Sequence, residues 1–269
     1  MALAWRDWAL PLKNIFLPIH CKQCDRRLLT EDNGFFCPTC WEASPRIERP
    51  FCTVCGKPHR GAIGFGTQSN FPCAECRGLG PRQRVIRSTF GAAYYDAAVS
   101  EAIKLFKFHD RRKLVEPLAE LMHDFAGREM TDCAYDWIAP VPLYWVRERE
   151  RGFNQSRLLA QAIAPDFPGA ALGDILVRVR PTKVQSRIKD EAERKANVRD
   201  AFAHVETFDV SGKCVLLIDD VVTTGGTVGE CAKVLRKAGA AHVDVFAAAL
   251  SVPHLEKHYL TSAKGQSDA

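Results

Sequence analysis

The stretch Cys214-Val-Leu-Leu-Ile-Asp-Asp-Val-Val-Thr-Thr-Gly-Gly-Thr227 decides the fold of this chain. Its apolar run, Val215 to Ile218, is long enough for a strand buried on both faces, as strands of parallel sheets are. Two aspartates end the run, and a turn of threonines and glycines follows them. After the turn, Val228, Cys231 and Leu235 fall on one stripe of an amphipathic pattern. The segment therefore predicts a strand, a tight turn and a helix in direct succession.

These features together predict an anion site. Glycines let backbone N–H groups approach a phosphate, threonine hydroxyls add donors, and a helix N-terminus favours negative charge. Asp219 and Asp220 lie just before the turn, where they can accept hydrogen bonds from sugar hydroxyls. The spacing of the glycines excludes a Walker loop and the dinucleotide fingerprint. An ordinary strand–turn–helix with two solvated aspartates is the alternative, and it leaves the ordered combination without a role. The predicted ligand is a ribose 5-phosphate.

The residues from Val215 to Thr227 resemble the 5-phosphoribosyl-1-diphosphate (PRPP) motif of type I phosphoribosyltransferases. The resemblance implies that Asp219 and Asp220 hold the ribose 2′- and 3′-hydroxyls. It also implies a loop around the 5′-phosphate, whose residues are Val221, Thr223, Thr224, Gly225, Gly226 and Thr227.

Composition places the chain among ordinary globular proteins. Its 269 residues, 46% hydrophobic and 26% charged, can hold one medium domain and an appendage. No apolar run is long enough to span a membrane, and the segment from Met1 to Pro18 lacks a signal-peptide layout. We therefore expect a cytoplasmic protein. The net charge of +5 lies in residues 1–84, with 12 Lys/Arg against 7 Asp/Glu, whereas residues 85–269 hold 25 of each.

Eight of the 11 cysteines form four C-x-x-C pairs, which is typical of zinc knuckles. The simplest pairing gives two Cys₄ sites, namely Cys21, Cys24, Cys37 and Cys40, and then Cys52, Cys55, Cys73 and Cys76. Spacing alone leaves a cross-braced pairing open. Disulfides are disfavoured because no secretion signal is present. Each zinc with four thiolates carries a charge of −2, so two sites offset most of the basic surplus. Closed sites of this kind are structural rather than catalytic.

The pattern predicts four segments: a lead-in helix at 1–20, a double zinc ribbon at 21–84, an α/β domain at 85–258 and a disordered tail at 259–269. Strands alternate with helices in the third segment, which predicts a mostly parallel sheet. The predicted strands are Phe90–Tyr95, Asp136–Val141, Ile175–Val179, Val215–Ile218 and His242–Leu250. The predicted helices before the main turn are Ala97–Phe108, Leu114–Met130 and Gln155–Ile163. In such sheets ligands bind beyond the carboxyl ends of the strands.

Two basic segments, 140–156 and 178–197, follow predicted strands and are predicted to be loops at this edge of the sheet. For any one arginine, a solvated and salt-bridged surface is an equal alternative. Taken jointly, the two segments favour binding of a diphosphate. The candidate residues are Arg147, Arg149, Arg151, Arg180 and Lys183.

The second resemblance covers nearly the whole chain. Arg149-x-Arg-Gly-Phe-Asn-Gln155, Thr182-x-x-Gln185 and Arg194-x-x-Asn197 are similar in order and spacing to the ComF-type competence proteins. These are type I phosphoribosyltransferase-like proteins with an N-terminal zinc ribbon. The resemblance implies that 140–155 is a diphosphate loop and that 180–197 closes over the site.

The reaction that the resemblance implies is displacement of diphosphate from PRPP by a nitrogen nucleophile. Asp219, Asp220 and Arg180 would form its catalytic set, with two structural Zn²⁺ and with Mg²⁺ bound alongside PRPP. The alternative is a non-catalytic competence protein that senses phosphoribosyl ligands and handles single-stranded DNA, together with other DNA-uptake proteins. The sequence does not identify an acceptor base.

Overall fold

The computed structural model describes residues 18–28, 35–59, 70–80, 84–182 and 197–252. Over these ranges the strands are β1 (Ile19–His20), β2 (Arg27–Leu28), β3 (Thr89–Tyr94), β4 (Trp137–Pro140), β5 (Ala171–Leu172), β6 (Leu176–Arg178), β7 (Phe202–His204), β8 (Cys214–Val222) and β9 (His242–Leu250). The α-helices are α1 (Pro38–Glu42), α2 (Ala74–Arg77), α3 (Ala97–Leu105), α4 (Val115–Glu129), α5 (Trp145–Arg151), α6 (Gln155–Ile163) and α7 (Gly226–Lys237). Short 3₁₀ turns lie at His109–Leu114 and Ala164–Asp166.

The central feature is a five-stranded sheet in the order β3-β9-β8-β4-β5, in which every neighbouring pair is parallel. This confirms the predicted α/β class with a parallel sheet. β8 extends beyond the predicted apolar run and contains both aspartates. At its end, Val222 lies opposite Leu250 of β9, so the two central strands finish at the same edge.

Helices cover both faces of the sheet, because β8 alternates its side chains between two cores. Leu216 and Ile218 pack in the core that contains α3, α4 and α6. Val215 and Leu217 pack in the core that contains α7. The burial of β8 on both faces explains why its sequence is a continuous apolar run rather than an alternating one.

Two predictions about the basic segments were wrong. The strand predicted at Ile175–Val179 does not join the main sheet. Its core, β6, pairs antiparallel with β7 in a separate two-stranded ribbon. Residues 145–151 form helix α5 rather than a loop, because arginine and glutamate are good helix formers. Arg147 and Glu150 also form an i, i+3 ion pair of 3.1 Å within it. Gly152, at φ +75°, ends the helix in a left-handed conformation.

The cysteine-rich segment packs directly against the α/β domain. Arg46 pairs with Ala93 next to the β3 edge, and the Ile47 N–H donates to the Ala92 carbonyl at 3.1 Å. The rings of Phe51 and Phe125 are 5.8 Å apart inside one continuous core. The residues around Arg46 therefore cover a sheet edge that would otherwise be open to pairing with another chain.

The segment that joins the two parts is anchored at its end. Arg87 forms a bidentate ion pair with Asp244, which is only 1% exposed and also accepts a hydrogen bond from the Tyr135 hydroxyl at 2.9 Å. The division of the chain between residues 84 and 85 stays a prediction. The predicted lead-in before residue 18 and the predicted tail after residue 258 lie outside the described residues. Within the described ranges, no helix combines the length and the hydropathy needed to cross a bilayer.

Candidate functional site

The structure gathers the eight paired cysteines into two groups of four, which are Cys21, Cys24, Cys37 and Cys40, and Cys52, Cys55, Cys73 and Cys76. Within each group all sulfur atoms lie within 4.8 Å of one another. The grouping follows the simplest predicted pairing and not the cross-braced one. A tetrahedral zinc site with Zn–S bonds of about 2.3 Å has S–S edges of about 3.8 Å. The Sγ–Sγ distances of Cys24–Cys37, 3.8 Å, and Cys55–Cys73, 3.9 Å, fit that geometry.

Backbone N–H groups prepare one sulfur in each group for metal binding. The N–H of Cys37 donates to Cys21 Sγ at 3.3 Å, and the N–H of Cys73 donates to Cys52 Sγ at 3.2 Å. Burial opposes ionisation of both thiols. The N–H donors outweigh it, lowering the pKa of Cys21 to about 6 and that of Cys52 to about 7. Since thiolates are the form that binds zinc, both groups suit structural Zn²⁺.

The glycine–threonine turn forms one wall of an open cleft. Gly225 adopts φ +74° at the N-cap of α7, and within the described residues no side chain caps this helix end. The backbone therefore presents its first-turn N–H groups toward the cleft. The cleft has a volume of about 290 Å³ and is lined by Arg199, Thr224, Gly225, Gly226, Gly229, Glu230 and Lys233. An anion at this place would meet backbone donors and the side chain of Arg199, while Lys233 is already paired with Glu230 at 2.6 Å.

The two aspartates point to opposite faces of β8 at its carboxyl end. Asp219 Oδ1 accepts hydrogen bonds from Ser156 Oγ at 3.0 Å and from the Asp220 N–H at 2.9 Å. Asp220 Oδ2 lies 3.3 Å from Lys107 Nζ. Burial, and secondly the charge of Asp220, raises the pKa of Asp219 to about 7. The pair therefore changes its total charge near neutral pH.

The three arginines of helix α5, Arg147, Arg149 and Arg151, lie on two different sides of the helix. Arg147 and Arg151 are four residues apart and share a face, whereas Arg149 lies on the opposite side. Arg151 donates to Gln155 Oε1 at 2.9 Å. Burial lowers its pKa, and the charge of Asp220 offsets only part of that effect. The Arg149 guanidinium instead lies 6.0 Å from the centre of the Trp145 ring. The structure thus places Arg151 within electrostatic range of Asp220 and Arg149 on the other side of the helix. Arg147 shares the face of Arg151 and pairs with Glu150.

The other predicted arginine, Arg180, lies beside the cleft at α7. Arg180 donates to the backbone carbonyl of Arg199, a residue that lines the cleft beside α7. The catalytic role assigned to Arg180 stays a prediction. Lys183 lies outside the described residues.

Sequence reasoning did not assign three further residues to the site: Lys107, Ser156 and Arg178. Lys107 and Ser156 contact the aspartates, whereas Arg178 interacts with the charge of Asp219. Burial lowers the pKa of Arg178, and the charge of Asp219 opposes that effect. Its Nε is buried without a hydrogen-bond partner among the described residues. The pattern Arg-Gly-Phe-Asn-Gln-Ser carried a signal for Ser156, because Asn154 caps α6. The Asn154 side chain accepts from the Ser156 N–H at 3.0 Å and donates to the Val141 carbonyl at 3.1 Å.

Comparison with known families matches both parts of the chain. Residues 12–77 match the double zinc ribbon domain, and residues 154–264 match the phosphoribosyl transferase domain. Fold and site together define a phosphoribosyltransferase-like protein with an N-terminal double zinc ribbon.

Comparison with individual proteins identifies the family of phosphoribosyltransferase-like proteins to which the chain belongs. The chain is 33% identical over 214 residues to DNA utilization protein YhgH of Escherichia coli (strain K12), covering 78% of this chain and 88% of YhgH. It is 28% identical over 236 residues to competence protein F of Haemophilus influenzae, covering 86% and 96% of the two chains. It is 26% identical over 214 residues to competence protein ComFC of Bacillus subtilis, covering 78% and 82%. The chain belongs to this ComF-type family, and the resemblance noted in the sequence is confirmed.

A solved structure aligns with part of the chain. The glutamine PRPP amidotransferase of B. subtilis, complexed with ADP and GMP, aligns with a TM-score of 0.39 and 23% identity. The alignment covers 56% of this chain and 30% of that enzyme.

Proposed function

We propose that this protein binds PRPP or ribose 5-phosphate at the carboxyl edge of β8. The observation that carries the proposal is the acidic pair, Asp219 and Asp220, next to the glycine turn of α7 and beside the cationic face of α5. The 5′-phosphate would bind the backbone N–H groups at Gly225 and Gly226. The ribose hydroxyls would bind the two carboxylates, and the diphosphate of PRPP would bind Arg147 and Arg151.

The donors around the acidic pair fit Mg²⁺ only as an ion that arrives with PRPP. Asp220 already pairs with Lys107, and Asp219 accepts from Ser156, so the described residues form no all-protein cage. Mg²⁺ commonly binds through substrate phosphates with few protein ligands. When bound, it would neutralise diphosphate charge. The protein itself would position the ribose and supply cations at the leaving group.

The chemical step that this arrangement supports is transfer of the phosphoribosyl group to a nitrogen nucleophile. In that step a C–N bond forms at C1 of the ribose while the C1–O bond to diphosphate breaks and diphosphate leaves with both electrons. Cations placed where the leaving charge develops, here on the Arg147 and Arg151 face, lower the barrier.

Calorimetry followed by a turnover assay tests this proposal. Ribose 5-phosphate and Mg²⁺·PRPP should each bind saturably, and Asp220→Ala should abolish both binding and the release of diphosphate in a mixture of purine and pyrimidine bases. Asp132→Ala, a change at an exposed aspartate just before β4, should have no effect. Absence of binding by both ligands, or an Asp220→Ala variant that binds like the wild type, would refute the proposal.

A second candidate function is the handling of single-stranded DNA, which the names of the relatives suggest. The specific observation is Trp145, whose side chain is 57% exposed and stacked by Arg149 on the outer face of α5. Exposed aromatic rings beside arginines form stacking platforms for nucleic-acid bases. Such a role would place the protein in the cytoplasm with other DNA-uptake proteins, where reduced thiolates also persist.

Fluorescence anisotropy with a labelled single-stranded oligonucleotide tests the second function. Binding should weaken steeply as salt rises, and both Trp145→Ala and Arg149→Ala should reduce it. Binding that is absent, or that ignores salt, would eliminate this function and leave the phosphoribosyl proposal untouched.

A further inference from the structure

Lys107 reaches the acidic pair from outside the phosphoribosyltransferase match. It lies just after α3, whereas the matched domain begins at residue 154. Its ammonium is 3.3 Å from Asp220 Oδ2, with side chains 33% and 11% exposed, respectively. An ion pair this sheltered is screened less by water than a surface pair is. Lys107 is therefore a fixed part of the site rather than a solvated surface lysine.

The charges around the two carboxylates are unusual for a divalent-cation site. Arg151 acts on Asp220 from α5, and Arg178 acts on Asp219 from β6. With Lys107, three cations interact electrostatically with two carboxylates, so these five charges have a positive balance even when both aspartates are ionised. A divalent cation that arrived alone would meet this repulsion and would have to displace the ammonium from Asp220.

We propose that Lys107 is the built-in counter-cation of the acidic pair: it holds Asp220 in place to accept a sugar hydroxyl and prevents a free divalent cation from binding there. Lys107 is a positioning residue, since it acts through Asp220. The part that concerns the sugar rests on the proposed function. The exclusion of free cations does not, because it follows from the ion pair alone.

Binding of Mn²⁺ alone to the full-length, zinc-loaded chain tests the exclusion. The loss of the electron paramagnetic resonance signal of free Mn²⁺ measures binding, and Mn²⁺ prefers carboxylates over the thiolate sites. The wild type should bind Mn²⁺ weakly. Lys107→Met should bind it about tenfold or more tightly, because a unit charge beside the carboxylate is gone. The double variant Lys107→Met/Asp220→Asn should lose that gain.

Two controls separate the charge from the packing. Lys107→Arg keeps the charge and should behave as the wild type. Lys104→Met removes an exposed lysine of α3, which pairs with Glu101 at 3.5 Å, and should also behave as the wild type. The proposal would be overturned if the Lys107→Met variant bound Mn²⁺ no more tightly than the wild type. It would also be overturned if the wild type bound Mn²⁺ tightly and Asp220→Asn abolished that binding. This second test does not depend on the folding of any Lys107 variant.

A parallel titration with ribose 5-phosphate in the absence of metal separates this inference from the proposed function. If Lys107 positions Asp220, Lys107→Met should weaken ribose 5-phosphate binding while Lys107→Arg restores it. A wild type that rejects Mn²⁺ but also fails to bind ribose 5-phosphate would refute the proposed function and leave the cation exclusion standing.

Discussion

Replacing Arg151 by alanine should weaken PRPP binding far more than replacing Arg149, although the two residues are neighbours in the same short helix. Residues of an α-helix are about 100° apart around the axis, so Arg147 and Arg151 are separated by about 40° while Arg149 is roughly opposite. Arg151 lies within electrostatic range of Asp220 with Arg147 on the same face, and Arg149 stacks on the exposed Trp145 ring. A diphosphate beside the acidic pair can contact only the first two.

The expected magnitude follows from the burial of each guanidinium. Arg151 is half-buried, and a hydrogen bond between a charged donor and a diphosphate is worth about 1.5–3 kcal/mol in such surroundings. Its loss should raise the Kd for Mg²⁺·PRPP roughly 10- to 150-fold. Exposed charges contribute at most about 1 kcal/mol, so Arg149→Ala should change the Kd less than about sixfold.

Calorimetric titrations with two ligands make this test specific. Ribose 5-phosphate lacks the diphosphate, so Arg151→Ala should reduce its affinity much less than that of Mg²⁺·PRPP. Equal losses for the two ligands would show that the substitution damages the site as a whole. Equal losses for Arg149→Ala and Arg151→Ala would refute the assignment of the α5 faces.

Four further outcomes are expected. Burial and the charge of Asp220 raise the pKa of Asp219 from 3.8 to about 7, so between these pH values the folded state holds a proton that the unfolded state releases. The urea midpoint should therefore fall as the pH rises through this window and level off above it. Asp219→Asn should remove this pH dependence. Phe51→Ala should cost about 3–5 kcal/mol in urea unfolding, in a single transition, because the ring is 2% exposed inside the shared core; a separate early transition of the ribbon would contradict this. Metal analysis should find about two zincs per chain. Cys37→Ser should lower the melting temperature of the whole chain, because zinc binding stabilises the fold. An unchanged main transition would show that the zinc ribbon unfolds independently of the α/β domain. Gly225→Ala should lower the free energy of unfolding by about 1–2 kcal/mol and weaken ribose 5-phosphate binding, because the φ of Gly225 is +74°. As a control, Gly127→Ala in α4, where an added Cβ meets open space, should neither destabilise the protein nor weaken binding.

The parts of the fold that follow a local pattern could be predicted from the sequence. The helix at Gln155–Ile163 and the strand at His242–Leu250 have the predicted bounds, because their apolar residues repeat with the period of each element. The turn at Gly225 could also be predicted, because only glycine adopts its backbone conformation without strain.

Features that depend on tertiary partners could not be predicted. β6 has the composition of a sheet strand, but its partner is β7, on the far side of a long intervening segment, so the pairing had no local signal. Lys107 comes from an element distant in sequence from the aspartates, and nothing in its neighbourhood distinguishes it from a surface cation. Arg178 begins the second basic segment, but no local pattern indicated that it would lie near Asp219. The sequence around Phe51 is compatible with a small core inside the zinc ribbon and with the core shared with the α/β domain. The structure places Phe51 in the shared core.

The most direct test of the central claim is a calorimetric titration of the zinc-loaded protein with Mg²⁺·PRPP, repeated with Asp219→Ala/Asp220→Ala. The account predicts one saturable site per chain, competition by ribose 5-phosphate and loss of binding in the double variant. Heat that never saturates, or binding that survives removal of both carboxylates, would contradict it.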